Sequence, residues 1–326
     1  MLTTFLYRKG KPLETNVSRA QMLAALSEKD ALLWVDLEAP NEFESDCLVE
    51  IFNFHGLAIE DCITDVSHPK VDDYEEYLFL VMHAVELKSK DVLSPLELDV
   101  FLGKNYVVTF HKDPVESMDR VREKVRRKME YGMDGGADRL AYSILDHLVD
   151  NYIPALEQYE ERIDKLEDEI FNPARRQGYR YALSTIMQIR RDIFQFRRIV
   201  APQRDTLNFL TRNPTPFIKT ENMIYFRDIY DHLFKIYGTV DGLHDAMTGI
   251  IQAYFSYSSH QLNETIQRMT LLATLTMPAM IIASIYGMNF RSIPELAWPH
   301  GYFFALGLMA LTSLSLLLLM KFKKWI

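Results

Sequence analysis

Two uncharged apolar segments near the C-terminus restrict this chain more than any other feature. Residues 269–290 read MTLLATLTMPAMIIASIYGMNF and residues 301–320 read GYFFALGLMALTSLSLLLLM, and neither contains a charged residue. A helix needs roughly 20 apolar residues to cross the hydrocarbon of a bilayer. The alternative, a pair of buried core helices, fits poorly because core helices are rarely uncharged on every side over this length. The segments therefore predict two transmembrane helices.

The short connection between these segments, residues 291–300, predicts that the two spans run antiparallel. It contains Pro294 and Pro299, which suit a turn and cannot continue a helix. Basic residues lie at the other ends of the spans, with Arg268 before the first and three lysines in the tail, residues 321–326. Cytoplasmic flanks of membrane spans are rich in Lys and Arg. We therefore expect both termini in the cytoplasm, the connection outside, and the protein in the inner (plasma) membrane.

Residues 1–133 alternate strand-like and helix-like patterns, which predicts a cytoplasmic α/β domain. The predicted strands are 4–7, 32–37, 77–87, 96–102 and 106–111. The predicted helices are 18–27, 41–53 and 114–131. The region contains neither GxxxxGK[ST] nor GxGxxG, so no nucleotide is expected as a partner.

Composition excludes several functional classes. The formal net charge of −9 argues against nucleic acid as the main partner. Cys47 and Cys62 form neither a disulfide framework nor a zinc pattern, and we expect both to be reduced thiols. The nine histidines are scattered without HExxH or CxxC motifs, so neither an enzyme nor an organic cofactor is expected.

Residues 134–267 predict a helical bundle and a stalk helix. In the first long helix, apolar residues alternate at spacings of three and four, which is a heptad seam. The seam residues are Tyr152, Leu156, Tyr159, Ile163, Leu166 and Ile170. The other faces of this helix are acidic, and the helix after Asn172 and Pro173 is rich in arginine. We interpret the two charge runs as an acidic helix folded back on a basic one, with a separate acidic ion-binding site as the alternative.

A second heptad seam, in the stalk helix, continues for more than four heptads. Its residues are Phe226, Ile229, Leu233, Ile236, Val240, Leu243, Met247, Ile250, Tyr254 and Tyr257. Nothing between Pro216 and the first span breaks the pattern, so one helix of 72 residues (216 to 287, both included) is predicted, about 110 Å long. A helix of this length needs packing partners, either from its own chain or from other copies.

One hairpin supplies two spans, and two helices cannot enclose a water-filled path. If the protein conducts ions, several copies must therefore surround a common axis, each contributing one span as lining. The first span is the better lining candidate because it carries polar residues along its length or just below it. These residues are Asn263, Thr270, Thr274, Thr276 and Ser284. The second span is more apolar and suits contact with lipid.

The end of the first span supplies a family resemblance. Residues 286–290 read YGMNF, residues 294–296 read PEL, and residues 225–232 read YFRDIYDH. Together with the Lys-Lys-Trp tail, these elements resemble the CorA family of magnesium transport proteins, in which GMN closes the first of two terminal spans. The resemblance covers the whole architecture. It implies a homopentameric funnel in which five long helices line a pore for Mg²⁺. In this family resemblance Mg²⁺ is both the transported ion and the regulatory ion.

The resemblance also implies roles for individual residues. Gly287, Met288 and Asn289 match the selectivity loop, and Asn263 and Met277 match a pore asparagine and a hydrophobic constriction.

Two further matches concern regulation by cytosolic Mg²⁺. Asp228 matches a regulatory metal-binding aspartate at subunit interfaces, and Asp146 matches a neighbouring acidic site less closely. The acidic partner of Asp228 across the interface is not fixed by the pattern, and Glu86 and Asp91 are the candidates.

This sequence departs from the family pattern in two places. Arg291 stands where relatives often have an acidic residue, which leaves Glu295 as the acid of the outer loop. Met280 stands where a threonine lines the pore in some relatives, and we include Met280, Thr270 and Ser284 among the pore-lining candidates.

The chemistry of Mg²⁺ agrees with a neutral outer site. The ion gives up its waters reluctantly, so carbonyl groups and Asn289 amides that bond to an intact hydration shell suit it better than charged ligands. Gly287 is expected to permit the turn there. A simple helix C-cap is the structural alternative for Asn289.

Two other functions remain open from the sequence. A Zn²⁺ transporter coupled to protons is one, although such relatives typically carry a GVN-type loop where this chain has Met288. The other is a membrane-anchored coiled-coil sensor or scaffold that conducts nothing. Passage of Co²⁺ or Ni²⁺ is expected as a side activity of a magnesium channel.

Overall fold

The computed structural model describes residues 1–64, 68–88, 92–127, 133–171, 179–289 and 293–323. The chain divides into two compact units, Met1–Ile250 and Ile251–Ile326, called here the N-terminal and C-terminal units. The N-terminal unit holds a β-sheet and its helices, and the C-terminal unit holds an apolar helix pair. The predicted order of an α/β region, long helices and a terminal hairpin is confirmed.

The strands form one mixed sheet of seven strands in the order β2-β1-β3-β7-β6-β5-β4. They are β1 (Leu2–Arg8), β2 (Glu14–Thr15), β3 (Ala31–Glu38), β4 (Lys70–Asp73), β5 (Leu78–Lys88), β6 (Val92–Leu102) and β7 (Tyr106–His111). β3 and β7 are parallel, and the other neighbours are antiparallel. The longest pairing, β5 with β6, aligns His83 with Glu97.

The helices of the N-terminal half are short, and those that follow them are long. In the N-terminal half they are α1 (Arg19–Ser27), α2 (Glu42–Ser45), α3 (Cys47–Glu50), α4 (Gly56–Ile63), α5 (Glu116–Arg127) and α6 (Ala137–Asp150). The long helices are α7 (Tyr152–Phe171), α8 (Tyr179–Arg212), α9 (Met223–Tyr286) and α10 (Gly301–Phe322).

β3 lies in the middle of the sheet and is buried on both faces. Leu33, Val35 and Leu37 join a core that includes residues of α1, α3 and α4. Because side chains alternate along a strand, Trp34 and Asp36 point to the opposite face. There the buried carboxylate of Asp36 accepts hydrogen bonds from Arg122 of α5 (2.6 Å) and from the Thr109 hydroxyl (2.5 Å). These partners compensate the loss of water around the charge.

Helices α7 and α8 pack as an antiparallel pair through the predicted apolar seam. All six seam residues of α7 are buried. The Tyr159 hydroxyl donates to Asp192 of α8 (2.9 Å), and the rings of Tyr152 and Phe196 form an edge-to-face contact. Most of the acidic residues of α7 are exposed, so apolar contact rather than charge is the main feature of this pairing. The exposed acids are Glu157, Glu160, Glu161, Asp164, Glu167 and Asp168.

Helix α9 buries the second seam as far as Tyr254, and Tyr257 is half-buried. The helix has 64 residues and begins at Met223 rather than at Pro216. The reason is the buried Asp138, whose carboxylate accepts hydrogen bonds from the Lys219 backbone N–H (2.9 Å) and from the Asn222 amide (2.8 Å). This carboxylate holds the segment before α9 in a turn.

The other differences from prediction concern short or polar elements. The predicted helix 41–53 is two short helices, α2 and α3, and Asn53 beyond them has a φ of 51°. Strand β4 and helix α4 were not predicted, because KVDD lacks an apolar alternation and GLAIEDCI is short. The helix predicted from residue 114 begins at Glu116. Its predicted end at residue 131, the break at Asn172 and Pro173, and Arg291 lie outside the described residues.

Candidate functional site

Four of the predicted pore residues fall on one stripe of the C-terminal unit's first helix. Asn263, Thr270, Met277 and Ser284 recur every seven residues within α9. A seven-residue step returns to nearly the same side of an α-helix, with a drift of about 20°. All four are exposed in the single chain, Met277 by 61%. Met280, 67% exposed, lies beside the stripe.

The threonines of this helix present hydrogen-bond acceptors. The Thr270 hydroxyl donates to the Ile266 carbonyl, and the Thr274 hydroxyl donates to the Thr270 carbonyl, both at 2.8 Å. Thr276 likewise donates to the Leu272 carbonyl at 3.0 Å. Because the hydroxyl protons are engaged within the helix, the oxygen lone pairs remain for other donors. Water molecules around a cation are such donors.

The helix ends in a turn at the GMN sequence. The Gly287 N–H donates to the Ala283 carbonyl (3.0 Å), and the Met288 N–H donates to the Ile285 carbonyl (3.2 Å). Gly287 does not use the positive φ that glycine allows, so the expected role in a glycine-specific turn is not found. Asn289 is exposed and forms no hydrogen bond with a described residue. Its φ is not in the left-handed region that a C-cap asparagine adopts, and its side chain is exposed.

The outer connection is packed against the start of α10. A 3₁₀ turn spans Pro294–Ala297, and the half-buried Glu295 lies within it. A Cβ atom on Gly301 would lie 2.2 Å from the Glu295 carbonyl oxygen. Only glycine allows this close approach, which fixes the position of Glu295 relative to the second span.

The N-terminal unit contains a separate cluster of ligand-type side chains. Asp146 and Asp150 of α6 and His232 of α9 place one ligand atom each within 4.8 Å of one another. Asp228, one helical turn before His232, lies 4.0 Å from its imidazole. Burial raises the pKa of Asp146, and the negative charge of Asp150 raises it further. A divalent cation would relieve this repulsion, and two carboxylates with an imidazole suit such an ion.

The cluster contains Asp146, one of the two regulatory aspartates that the resemblance implied, and the other, Asp228, lies beside it. Its remaining two members were not predicted. Asp150 and His232 each follow a predicted aspartate by four residues. Residues four apart share one face of a helix, so this spacing was the available signal. Imidazole nitrogen is a ligand that Co²⁺, Ni²⁺ and Zn²⁺ accept well.

Contacts along α9 hold its N-terminal part beside α6 and α8. The Arg139 guanidinium lies 3.4 Å from the centre of the Tyr225 ring. Arg197 of α8 pairs with Asp241 at 3.2 Å, and Arg204 lies over the ring of Tyr237. These contacts bring Asp228 and His232 to the acidic side of α6.

The two candidates for the partner of Asp228 have different outcomes. Glu86 accepts a hydrogen bond from the Glu116 backbone N–H at the start of α5 (2.7 Å). This contact gives Glu86 a capping role within its own subunit. Asp91 lies outside the described residues. The pairing across an interface stays a prediction.

Known proteins that resemble this chain do so over most of its length. A family model described as "CorA-like Mg2+ transporter protein" matches residues 29–324. The chain is 34% identical to the Bacillus subtilis protein YfjQ, over 90% of each chain. It is also 34% identical to the cobalt/magnesium transport protein CorA of Thermotoga maritima, over 85% of this chain and 78% of that protein.

A solved structure agrees over the full length. The complete structure of the CorA magnesium transporter from Methanocaldococcus jannaschii covers 100% of this chain with a TM-score of 0.86, at 20% identity, and 99% of its own chain is covered. At that identity the likeness establishes the fold. The matches are to transporters, and they favour neither the Zn²⁺/proton alternative nor the non-conducting scaffold.

Proposed function

The chain belongs to the family of CorA-like Mg²⁺ transporter proteins, and from this premise we propose that it forms a homopentameric channel for passive uptake of hydrated divalent cations. Mg²⁺ is the main ion, and Co²⁺ and Ni²⁺ pass as well. The protein lies in the plasma membrane with both termini in the cytoplasm. It uses neither a nucleotide nor an organic cofactor.

The observation that carries the proposal is the exposed stripe of Asn263, Thr270, Met277 and Ser284. Three of these four side chains are polar, and polar side chains within a span favour a position that faces protein or a water-filled path over one that faces lipid. One hairpin cannot enclose such a path, so copies of α9 must meet around it. The acceptor oxygens of the threonines suit the water hydrogens of a hydrated cation.

Selection takes place at Gly287, Met288 and Asn289 in this proposal. Five exposed Asn289 amides offer neutral hydrogen-bond acceptors to the waters of the ion. Mg²⁺ retains its waters because removing them is costly, and neutral acceptors hold the ion weakly enough for release. Glu295 attracts cations to the entrance.

Transport needs no energy source besides the membrane potential. A potential of about 100 mV, negative inside, is worth about 4.6 kcal/mol for a dication. At about 1.4 kcal/mol per factor of ten, this energy supports accumulation of more than a thousandfold.

The cluster of Asp146, Asp150, Asp228 and His232 acts as the sensor of cytosolic Mg²⁺. The ligand atoms of Asp146, Asp150 and His232 converge, and Asp228 lies 4.0 Å from His232. The raised pKa of Asp146 also suits a site for a divalent cation. A bound ion neutralises the carboxylates and stabilises the closed, symmetric pentamer. When cytosolic Mg²⁺ falls, the sensor empties and the subunits loosen.

Ion flux into liposomes tests the proposal. Purified protein is reconstituted with a Mg²⁺-sensitive dye inside, and Mg²⁺, Co²⁺, Ni²⁺ and Zn²⁺ are compared with and without a pH gradient. We expect Mg²⁺ entry that is independent of the pH gradient. Asn289→Ala should reduce it more than about tenfold, since a hydrogen bond to a charged partner contributes about 1.5–3 kcal/mol.

Asn213→Ala is the matched control, because Asn213 is also an exposed asparagine but lies outside the spans. Its flux should equal that of the unmodified protein. Absence of Mg²⁺ entry would support the scaffold, and Zn²⁺ entry driven by a pH gradient would support the proton-coupled transporter.

A further inference from the structure

One hydrogen bond joins the two spans of the C-terminal unit at a specific level. The Ser313 hydroxyl of α10 donates to the Leu275 carbonyl of α9 at 3.0 Å, and both residues are half-buried. The two residues are 38 apart in the sequence. The bond therefore depends on the packing of one span against the other.

Other serine and threonine hydroxyls of the two spans also donate hydrogen bonds. Among the described residues, these bonds stay within one helix. In α10 the Thr312 hydroxyl donates to the Leu308 and Met309 carbonyls, at 2.9 and 3.0 Å. Ser315 donates to the Thr312 carbonyl at 3.0 Å. A helical serine commonly bonds to the carbonyl four residues earlier, which for Ser313 is Met309. That carbonyl accepts from the Thr312 hydroxyl, and the Ser313 hydroxyl bonds to the neighbouring helix.

The acceptor lies beside a weak point of α9. Pro278 is within the helix and has no N–H, so the Thr274 carbonyl loses its helical hydrogen bond. Such positions are where helices bend. Leu275 directly follows Thr274, and its carbonyl is the one that Ser313 holds. The second span therefore supports the first where the backbone ladder is interrupted.

The same level contains the predicted constriction. Met277 is two residues after Leu275, which is about 160° away around the helix. Met277 lies on the exposed stripe, so Ser313 holds the helix from the side opposite to that stripe. Movement of α9 against α10 at this bond would displace Met277.

We propose that Ser313 is a positioning residue that holds the pore-lining helix at Pro278 and thereby stabilises the closed position of Met277. The proposal rests on the proposed channel function. Loss of the bond removes the contact between the spans beside the Thr274 carbonyl, which Pro278 leaves without a helical donor, and makes bending at Pro278 easier. Hydrogen bonds between membrane helices are individually weak, so the expected change in the closed–open equilibrium is about threefold per subunit.

Flux measurements give the functional test. In liposomes, Ser313→Ala should increase at least threefold the internal Mg²⁺ concentration that half-inhibits entry, without changing the preference among Mg²⁺, Co²⁺ and Ni²⁺. Ser313→Thr retains a hydroxyl and should restore the unmodified value. Ser315→Ala removes a hydroxyl that bonds within its own helix and should change nothing. Unchanged or stronger inhibition in Ser313→Ala would overturn the proposal.

A second measurement does not depend on conduction. Hydrogen–deuterium exchange of the full chain in lipid nanodiscs reports opening of the backbone around Pro278. We expect faster exchange in peptides covering residues 271–286 for Ser313→Ala but not for Ser315→Ala. Equal exchange in all three proteins would refute the positioning role. If the unmodified protein carries no Mg²⁺ while Ser313→Ala exchanges faster, the channel function fails and the structural role of the bond stands.

Discussion

The two parts of helix α9 differ in how much of their apolar surface the chain itself buries. From Phe226 to Tyr254 the seam is buried by the chain's own helices, and Phe226, Ile229 and Leu233 are 0% exposed. Beyond this part, Met277 and Met280 are 61% and 67% exposed. In the most apolar stretch of α9, 0% of the residues are buried. The comparison teaches that the first part finds its packing partners within one chain, whereas the second leaves its apolar surface exposed, as the proposed membrane-embedded oligomer requires.

The largest effect is expected from a charge on the exposed stripe. Met277→Lys would place five ammonium groups around the proposed path, and their repulsion of a dication in a confined space should reduce Mg²⁺ flux more than about a hundredfold. Met277→Leu preserves size and apolarity and should retain flux. Normal flux in Met277→Lys, measured in liposomes with equal protein incorporation, would show that the stripe does not face the path.

The buried part should respond in stability instead. Leu233→Ala removes a side chain that is 0% exposed, and we expect a loss of about 2–5 kcal/mol in the free energy of unfolding. Leu262→Ala, at a position 61% exposed in α9, should change it by less than about 1 kcal/mol. Urea unfolding in detergent, followed by circular dichroism, measures both. Equal losses would remove the distinction between the two parts.

The sensor cluster allows a sharper test of the first part. Asp146→Asn should increase about tenfold the internal Mg²⁺ concentration that half-inhibits flux, because a ligand and a charge are lost. Asp228→Ala should act in the same direction. Asp231→Asn is the control, since Asp231 is an exposed neighbour of His232 outside the cluster. Inhibition that is unchanged in Asp146→Asn and Asp228→Ala contradicts the sensor assignment.

The last prediction is an effect that depends on pH, and it concerns the sheet of the N-terminal unit. Burial raises the pKa of Asp99 to about 7, from an ordinary value of 3.8. The folded protein therefore binds this proton more tightly than the unfolded chain, and stability falls as pH rises from about 4 to about 7. Asp99→Asn resembles the protonated acid, so it should be more stable than the unmodified protein at pH 8 and equal to it at pH 4. Thermal unfolding of both proteins at pH 4 and pH 8 measures this. An equal stability difference between them at the two pH values would refute the raised pKa of Asp99.

Much of the fold could be predicted because it depends on local patterns. The strands 106–111 and the seams of α7 and α9 follow from residue spacing along one element, and the structure confirms them. Strand β4 was not predicted because its Lys and Asp residues suit an exposed sheet edge and do not alternate with apolar residues. The start of α9 was placed too early, since the contact of Asp138 with Lys219 and Asn222 joins residues more than 80 apart.

Some residues of the candidate site could likewise be predicted from the sequence, and others could not. The GMN loop and the stripe residues were available from the sequence because they follow one another along a single helix. For Asp150 and His232 the sequence offered only their spacing of four residues from predicted aspartates, and their convergence depends on α6 and α9 lying side by side. The bond from Ser313 to Leu275 likewise requires two packed spans.

The sequence by itself determined two uncharged terminal helices, the apolar seams and the family, because hydrophobic periodicity and length act locally along the chain. Only the tertiary structure decided the order of the seven strands, the convergence of Asp146, Asp150 and His232, and the hydroxyl that supports α9 beside Pro278. These depend on contacts between distant residues, whose geometry is set by packing against one another rather than by any local pattern.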